Sequence, residues 1–460
     1  MHFSYDLEAT LTDEERAAES IIAQWRDREL KDDLYNAVIH DYFANFDKIK
    51  NSKVYEILEK MPKGAIHHLH SSAAPNIDSY IGLTYKDCVY FNERERLFKV
   101  ATNGLEEEGY VRCVDMRRFS SSPEAYDQRL RDFIRMTPAE CASKEEHAIW
   151  AHFQHKFTLT SDLVKYDKFF RIILRDILLA CYKQNVFIVE LRYIAGLLMG
   201  EERRPIGLKE ELEIIEEVYT ELKREQGIKE GEFHLKLIIS GLKIIGRPHI
   251  QSTILQVIEG RTYSNLIAGY DMVNHESVTQ PLLYFAPDVL EGKRKDKECL
   301  PCFFHCGETH ERHNQNIYDA VLLGSKRLGH GFQLFLHPHL QQVVKERDIC
   351  IESCPVSNLL LGYTTDLRNH PVRYLLAKGI QASISSDDPT FFGYDGVTMD
   401  YVMTYVAWEL GIRDLKKLSL NGIAYSSVSE EEKKRLREEV FPKRWNAFIQ
   451  EINTTYAQAL

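Results

Sequence analysis

Short apolar runs alternate with longer amphipathic segments along most of the chain. Runs bounded by turn residues are typical of buried strands, whereas apolar residues at helical spacing, as in LKEELEIIEEVYTELKRE, predict helices. Eight such runs occur: the segment that ends at His70 and the segments 186–193, 234–240, 266–273, 301–306, 326–331, 348–354 and 380–386. Eight alternating strand and helix units predict an α/β fold, a TIM (β/α)8 barrel of parallel strands.

Three segments depart from this alternation. Residues 1–60 carry helical patterns, so we predict an N-terminal helical extension, followed by the barrel over residues 61–460. The segment 82–122 mixes aromatic and charged residues without a sustained period and predicts a loop-rich insertion after strand 1. The segment EEEKKRLREEVFPKRWNAFIQEI predicts a C-terminal amphipathic helix with a solvated charged face.

Composition and charge limit the partners of the chain. Its residues are 44% hydrophobic and 28% charged, which favours a globular protein with a large core. The 58 basic and 69 acidic residues give a net charge of −11, which disfavours nucleic acid and anionic membranes as partners. The N-terminal residues lack a basic segment followed by an apolar run, so we expect a cytoplasmic location, or an extracellular one if a signal was removed.

The nine cysteines are scattered and odd in number, which does not predict a disulfide framework and favours a reducing compartment. Cys299, Cys302 and Cys306 lie close together and raise the alternative of a cysteine–metal site. No second pair has a matching spacing, so we do not expect such a site.

Polar side chains stand where several of the predicted strands end. His68 and His70 end the first strand on the same side, because side chains alternate along a strand. His305 ends the fifth strand, His330 ends the sixth, and Asp387 follows the eighth. In a parallel barrel the carboxyl ends of all strands lie on one face. Three of these four imidazoles, together with the carboxylate, suit a zinc site with room for a water, whose pKa the ion would lower.

Each of these residues also has a structural alternative. A single histidine on an apolar strand is more often a core residue, Asp-Asp-Pro usually forms a turn, and Gly-Glu-Thr often caps a helix. Coincidence at the same end of four strands favours the functional interpretation. Six other histidines lack that placement, and we expect them in structural, solvent-facing or loop positions: His67, His310, His313, His337, His339 and His370.

Six motifs occur in order along nearly the whole chain: MPKGAIHHLH, FFHCGET, RLGHGF, CPVSN, TTDLRNHP and SISSDDPTFFG. Together they closely resemble the adenosine deaminase-related growth factor branch of the adenosine deaminase family. The resemblance implies a zinc-dependent (β/α)8 barrel that hydrolytically removes the 6-amino group of an adenine nucleoside, with one Zn²⁺ per chain. It also implies that the N-terminal helices serve to form a homodimer.

The resemblance further implies site residues, position by position. The residues that match the family's zinc ligands are His68, His70, His305 and Asp387. Because Asp387 follows the last strand and the histidines end the first and fifth, this set is consistent with the grouping expected at one face of a barrel.

Four further positions match residues that act on the purine. Glu308 matches the acid that protonates ring N1, His330 the residue that orients and stabilises the hydroxide, and Asp388 the hydrogen-bond partner of N7. An acid in the first role must be protonated when substrate binds, so we expect burial to raise the pKa of Glu308. Trp150 matches an aromatic that lines the pocket, although a buried core tryptophan is an equal alternative.

The sugar end departs from the branch. Ser71 stands where an Asp usually accepts from the ribose 5′-hydroxyl, and Asn274 stands where a Gly N–H usually meets ring N3. Gly241 and Leu242 replace an Asp and a His often found near the sugar. Because a serine can donate to phosphate oxygens that an Asp would repel, we hypothesise a 5′-nucleotide such as AMP or dAMP, or a 5′-modified nucleoside, as substrate.

Three cations near this end could pair with a phosphate, although solvation at the surface is the leading expectation for each: Lys165, Lys243 and Arg247. Two alternative functions stay open at this point. The first is a catalytically inactive deaminase-like barrel that acts as a binding or growth-factor protein. The second is an amidohydrolase with two metals bridged by a strand-end lysine, which is disfavoured because no lysine ends any predicted strand.

Overall fold

The strands of the barrel fall where the apolar runs predicted them. The computed structural model describes residues 5, 10–31, 41–143, 145–297 and 299–460. Within these residues the strands are β1 (Gly64–His70), β2 (Val89–Asn92), β3 (Leu97–Val100), β4 (Tyr110–Arg112), β5 (Val186–Tyr193), β6 (His234–Leu242), β7 (Ile267–Val273), β8 (His305–Cys306), β9 (Arg327–His330), β10 (Cys350–Ser353) and β11 (Ala382–Ile384).

Eight of these strands, among the described residues, form one parallel barrel. The strands β1, β5, β6 and β7 pair in that order, and β8, β9, β10 and β11 pair in a second row. The rows meet at two seams. The Phe303 N–H donates to the Tyr270 carbonyl over 2.9 Å beside β7, and the Asp387 N–H donates to the His68 carbonyl over 3.0 Å beside β1. The predicted TIM (β/α)8 barrel is confirmed.

Helices cover the outside of the barrel. Leu208–Glu225 is typical, since its buried Leu212, Ile215, Val218 and Leu222 recur at helical spacing on one face. None of the helices within the described ranges is both long and apolar enough to cross a membrane. The other helices between β1 and the C-terminal segment are Ile77–Leu83, Cys113–Phe119, Pro123–Ile134, Pro138–Cys141, Glu146–Lys165, Asp167–Lys183, Arg247–Gly260, Leu282–Lys295, Asn316–Leu322, Pro338–Glu346, Pro355–Leu360, Pro371–Ala377, Pro389–Phe392, Thr398–Ala407 and Ile412–Ala424.

The two ends of the chain pack on each other. The described helices before β1 are Asp13–Lys31, Tyr42–Lys50 and Lys53–Lys60, and the C-terminal segment forms Glu430–Arg435 and Phe441–Glu451, with a π-helical turn between them. The Trp25 Nε1–H donates to the Tyr456 carbonyl over 3.2 Å, and the Trp445 Nε1–H donates to Glu15 Oε1 over 2.8 Å. The division at residue 60 and the role of the extension in dimerisation stay predictions.

The segment 82–122 contains a small antiparallel sheet, which the sequence interpretation of a loop-rich insertion did not anticipate. Its order is β3-β2-β4, with Asn92 paired to both Leu97 and Tyr110. The strands have only three or four residues, and all four residues of β2 are buried. Segments this short do not establish a period of two, so the pattern of the sequence could not reveal them.

Candidate active site

Four side chains meet at the carboxyl ends of β1, β8 and β11. His68 Nε2 lies 2.9 Å from His305 Nε2 and 3.3 Å from Asp387 Oδ1. His70 Nε2 lies 3.3 Å from both of those atoms. The four ligand atoms all lie within 4.8 Å of one another. The structure thus brings together the four residues that the resemblance implied as ligands.

The hydrogen bonds behind two of these histidines fix where their lone pairs are. His68 Nδ1 lies 2.8 Å from Glu352 Oε2, and His305 Nδ1 lies 2.7 Å from Asp271 Oδ2. A carboxylate only accepts, so each Nδ1 carries the proton and each Nε2 presents a lone pair. Two lone pairs facing each other at 2.9 Å repel unless a cation lies between them. Asp387 Oδ1 has no hydrogen-bond partner among the described residues, so the donor set fits a metal ion.

Two buried arginines hold the carboxylates behind the ligands. Arg192 donates to Asp271 over 3.2 Å and to Glu352 over 2.5 Å, while Arg327 donates to Glu352 over 2.7 Å and also bonds Glu190. Burial alone would raise the pKa of Glu352, but the two guanidinium groups hold it well below the ordinary value. The carboxylates of Asp271, Glu352 and Glu190 and the two guanidinium groups together carry one net negative charge, which a cation at the site would offset.

This network was not predicted from the sequence, although a signal was present. Glu190 and Arg192 interrupt the apolar run VFIVELRY, and Glu352 interrupts DICIESC. A charged residue inside a buried strand must be paired, because an unpaired buried charge is strongly destabilising. Such residues therefore indicate a polar network inside the barrel.

His330 faces the same space from β9. Its Nε2 lies 3.4 Å from Glu308 Oε2 and 3.9 Å from Asp387 Oδ2. The Asn358 amide donates toward His330 Nδ1 over 3.4 Å, and His370 Nε2 lies 3.1 Å from Asn358 Oδ1. The Nε2 of His330 therefore carries the proton toward the site. Burial lowers the pKa of His330 well below its ordinary value, so the ring is neutral.

His370 lies between two helical segments, as expected of a residue in a connection, and it is buried and caps the helix Pro371–Ala377. Proline is common at the first position of a helix, so it marked a helix start here. His67 is a structural core residue, as expected, because its ring contacts Ser383 Oγ at 2.8 Å and the Gly422 carbonyl at 2.7 Å.

Glu308 and Asp388 are buried carboxyl groups beside the four ligands. Glu308 Oε1 and Asp388 Oδ1 have no hydrogen-bond partner within the described part of the chain. Burial, together with the charge of Asp387, raises the pKa of both carboxyls well above the ordinary value. The raised pKa expected for Glu308 is therefore found. Buried polar atoms are almost always paired, so these two are available to a ligand.

A cavity of about 460 Å³ opens from this group. Its inner end is formed by His70, His305, Asp387 and the Glu308 carboxyl. The four residues predicted to bind substrate all line it: Ser71, Trp150, Asn274 and Asp388. The rest of the lining includes many apolar residues, among them Phe157, Phe170, Leu197, Leu242 and Ile245.

Two of the lining residues are held in defined positions. Trp150 donates from Nε1 to the Tyr363 hydroxyl over 2.6 Å and stacks on the His275 ring at 4.5 Å between centroids. Asn274 has a φ of 109°, in the left-handed region that favours glycine, and its Oδ1 accepts from the Ile244 N–H over 3.3 Å. An asparagine therefore adopts a backbone conformation that favours glycine, at the position where the family usually has one.

The three cations considered for phosphate binding lie in different places. Lys165 lines the cavity, and Arg247 forms a two-pronged ion pair with Asp288 at 2.7 and 2.8 Å. Lys243 was expected at the solvated surface, and this expectation was wrong. The strand β6 runs to Leu242, two residues beyond its apolar run, so Lys243 follows the strand directly and is only 2% exposed.

Comparisons with known proteins place this site in a family. The family model described as adenosine deaminase matches residues 122–443. The chain belongs to the adenosine deaminase family. Adenosine deaminase 2 of Homo sapiens is 33% identical over 90% of this chain and 83% of that protein. The resemblance found in the sequence is confirmed, and the chain is a member of a family of hydrolytic deaminases.

Solved structures of other proteins share the fold of this adenosine deaminase family member. Arabidopsis ADAL, solved in complex with GMP, has a TM-score of 0.63 and 16% identity, and the match covers 84% of this chain and 98% of that chain. An amidohydrolase from Burkhoderia ambifaria, solved with bound Zn, has a TM-score of 0.58 and 17% identity over 88% of this chain and 95% of that chain.

Proposed function

We propose that this protein is a zinc-dependent hydrolytic deaminase that converts the 6-amino group of an adenine nucleoside or nucleotide to the inosine-type product and ammonia. One observation carries the proposal: His70, His305 and Asp387 of the four-ligand group line one cavity together with Glu308 and Asp388, which each have one oxygen without a hydrogen-bond partner among the described residues. Burying unpaired polar groups costs stability, and a polar ligand with a bound metal ion accounts for both sets.

The chemistry of the ligand set supports zinc. His68, His70, His305 and Asp387 would hold it, because three nitrogens and one carboxylate oxygen suit this ion. The zinc in the amidohydrolase from Burkhoderia ambifaria agrees with that choice. When bound, zinc lowers the pKa of a water toward neutrality.

Three side chains then act on the reacting groups. Attack of hydroxide on C6 interrupts the aromatic ring, so N1 must gain a proton in the transition state, and we assign this proton to the buried Glu308 carboxyl. His330 directs its Nε2–H toward the same space and orients the attacking oxygen. N7 is an acceptor, so Asp388 must donate to it, as its raised pKa allows.

The substrate class depends on the sugar end of the cavity. Ser71 is neutral and lines the cavity, as does Lys165, whereas Lys243 is buried and Arg247 pairs with Asp288. A 5′-phosphate would therefore contact the Ser71 hydroxyl and the Lys165 ammonium. The apolar residues of the lining also fit a 5′-modified nucleoside, so both classes belong in the test.

The experiment measures ammonia release from adenosine, AMP, dAMP and 5′-methylthioadenosine. Removing zinc with a chelator should abolish release, and Glu308→Gln should lower kcat by about 10²- to 10⁴-fold, the range of general acid catalysis. Glu311→Gln, at an exposed position three residues away, is the matched control and should retain activity.

The results distinguish an active deaminase from an inactive binding protein, and a nucleoside substrate from a nucleotide. Full activity after zinc removal or in Glu308→Gln would contradict the mechanism, and no release from any of the four substrates would favour an inactive binding protein. A preference for adenosine of tenfold or more, equivalent to about 1.4 kcal/mol, would exclude the nucleotide as the main substrate. Lys165→Met should lower kcat/KM for AMP and leave that for adenosine unchanged.

A further inference from the structure

A buried carboxylate outside the predicted site holds the loop that carries Glu308. Glu276 Oε1 accepts from the Glu308 N–H over 2.7 Å, and Glu276 Oε2 accepts from the Gly307 N–H over 3.2 Å. The Asn316 amide also donates to Oε2, over 2.7 Å. Glu276 is 4% exposed and Asn316 is fully buried. One carboxylate therefore binds two consecutive backbone amides next to the candidate acid.

The loop needs such a support because its joint is a glycine. Gly307 lies between His305, a candidate metal ligand, and Glu308, and its φ is 74°. Glycine adopts both halves of φ space at little cost, so by itself it leaves the direction of the next residue open. The Gly307 carbonyl accepts from the Gln333 N–H over 3.1 Å, which fixes the other side of the joint.

Glu276 and a buried lysine each follow a strand of the barrel. Glu276 follows β7 by three residues, after the left-handed turn at Asn274. Lys243, which follows β6, is buried, and its Nζ has no hydrogen-bond partner among the described residues. Burial lowers the pKa of Lys243, and the Glu276 carboxylate opposes that shift. Lys243 thus takes no Glu276 acceptor away from the loop.

We propose that Glu276 is a positioning residue, which fixes the Gly307–Glu308 backbone and so directs the Glu308 carboxyl at the ring nitrogen that it protonates. The inference rests on the proposed deaminase function. Within the described residues, the three hydrogen bonds of the Glu276 carboxylate go to the two loop amides and to Asn316, and none goes to a candidate metal ligand.

Glu276→Gln tests this role. The amide has the same shape, but its NH₂ group would face N–H donors where an acceptor is needed, so the loop loses at least one bond. A misplacement of about 1 Å in a catalytic group costs up to about 100-fold, so we expect kcat to fall by about 10- to 100-fold. KM and zinc content should stay unchanged. Asn316→Ala should give a smaller loss of the same kind, and it replaces Glu276→Gln if that variant does not fold.

The controls are the unmodified protein and Glu311→Gln, compared at a temperature where all variants are folded. A loss confined to kcat supports the proposal. Unchanged kcat overturns it, as does a rise in KM alone or a loss in proportion to lost zinc, since these place Glu276 in substrate or metal binding. If the unmodified zinc protein deaminates no purine, the proposed function itself fails, and this result is distinct from failure of the Glu276 role.

Discussion

Replacing Glu352 by glutamine tests whether the buried carboxylates hold the metal ligands. Glu352 accepts from His68 Nδ1, Arg192 and Arg327, so it joins one candidate ligand to two guanidinium groups. Glutamine keeps the shape, removes the charge and turns one acceptor into a donor. We therefore expect two separate losses, one in metal affinity and one in folding stability.

The sizes of the two losses follow from the contacts of Glu352. Loss of a carboxylate behind a ligand histidine typically lowers metal affinity by about 10- to 100-fold, which corresponds to about 1.4 to 2.7 kcal/mol. Breaking a buried ion pair costs about 3 to 5 kcal/mol. Arg192 keeps Asp271 and Arg327 keeps Glu190, so neither guanidinium is left alone. We expect a stability loss near the lower limit, about 3 kcal/mol.

The assay is a competition for zinc between the protein and a coloured chelator, with urea unfolding of the metal-free protein beside it. Glu190→Gln is the matched control, because Glu190 bonds Arg327 and the Ser427 N–H but contacts none of the candidate ligands. It should lose stability as Glu352→Gln does and keep its zinc affinity.

Equal zinc affinity in Glu352→Gln and the unmodified protein would refute the reasoning, since the carboxylate would then have no effect on His68. Equal losses of affinity in Glu352→Gln and Glu190→Gln would also contradict it. That result would assign the effect to the charge of the network and not to the bond with the ligand.

Three other changes test separate parts of the structure. Gly64 has a φ of 67°, and a Cβ there would lie 2.0 Å from the Ser419 carbonyl oxygen. Gly64→Ala should therefore lower the free energy of unfolding, measured in urea, by about 2 to 5 kcal/mol. A loss under about 1 kcal/mol would contradict this prediction. Burial alone would raise the pKa of Glu146, but bonds that include one from His275 lower it from 4.5 to about 2. The Glu146 carboxylate thus stabilises the fold above pH 4.5, and this contribution is lost as the pH falls toward 2. The unfolding free energy of Glu146→Gln should therefore vary less with pH between 4.5 and 2 than that of the unmodified protein. An equal variation in both proteins would contradict the role given to Glu146. Ser71→Asp should lower the ratio of kcat/KM for AMP to kcat/KM for adenosine by at least about tenfold, because a carboxylate repels phosphate. If this ratio is unchanged, the phosphate does not lie beside Ser71.

The barrel strands were predictable because each is covered on both faces. All eight residues of β5 are buried, so most of them are apolar and the strand can be recognised from its own sequence, with Glu190 and Arg192 as the charged exceptions. Strand ends were less predictable. The run 301–306 contains only His305–Cys306 as β8, and β6 extends past its run to bury Lys243.

The candidate ligands were also accessible from the sequence, because they stand at strand ends in recognisable motifs. The residues behind them were not. The role of Glu276 depends on backbone amides of the next loop, and the role of Asn358 depends on His330 and His370, which lie on other elements. A single polar residue gives no indication of which distant group it will meet.

The seam between β1 and β11 joins the first and last strands of the barrel to be synthesised. The His68 N–H donates to Ser385 Oγ, 317 residues further along the chain, and Asp387 lies two residues beyond. A growing chain therefore holds the histidines of β1 long before it acquires its carboxylate ligand. The entropy of closing a loop grows only slowly with its length, so binding of the proposed zinc ion can offset much of it. Zinc held by His68, His70 and Asp387 together would then link the two ends of the barrel and stabilise its closed form.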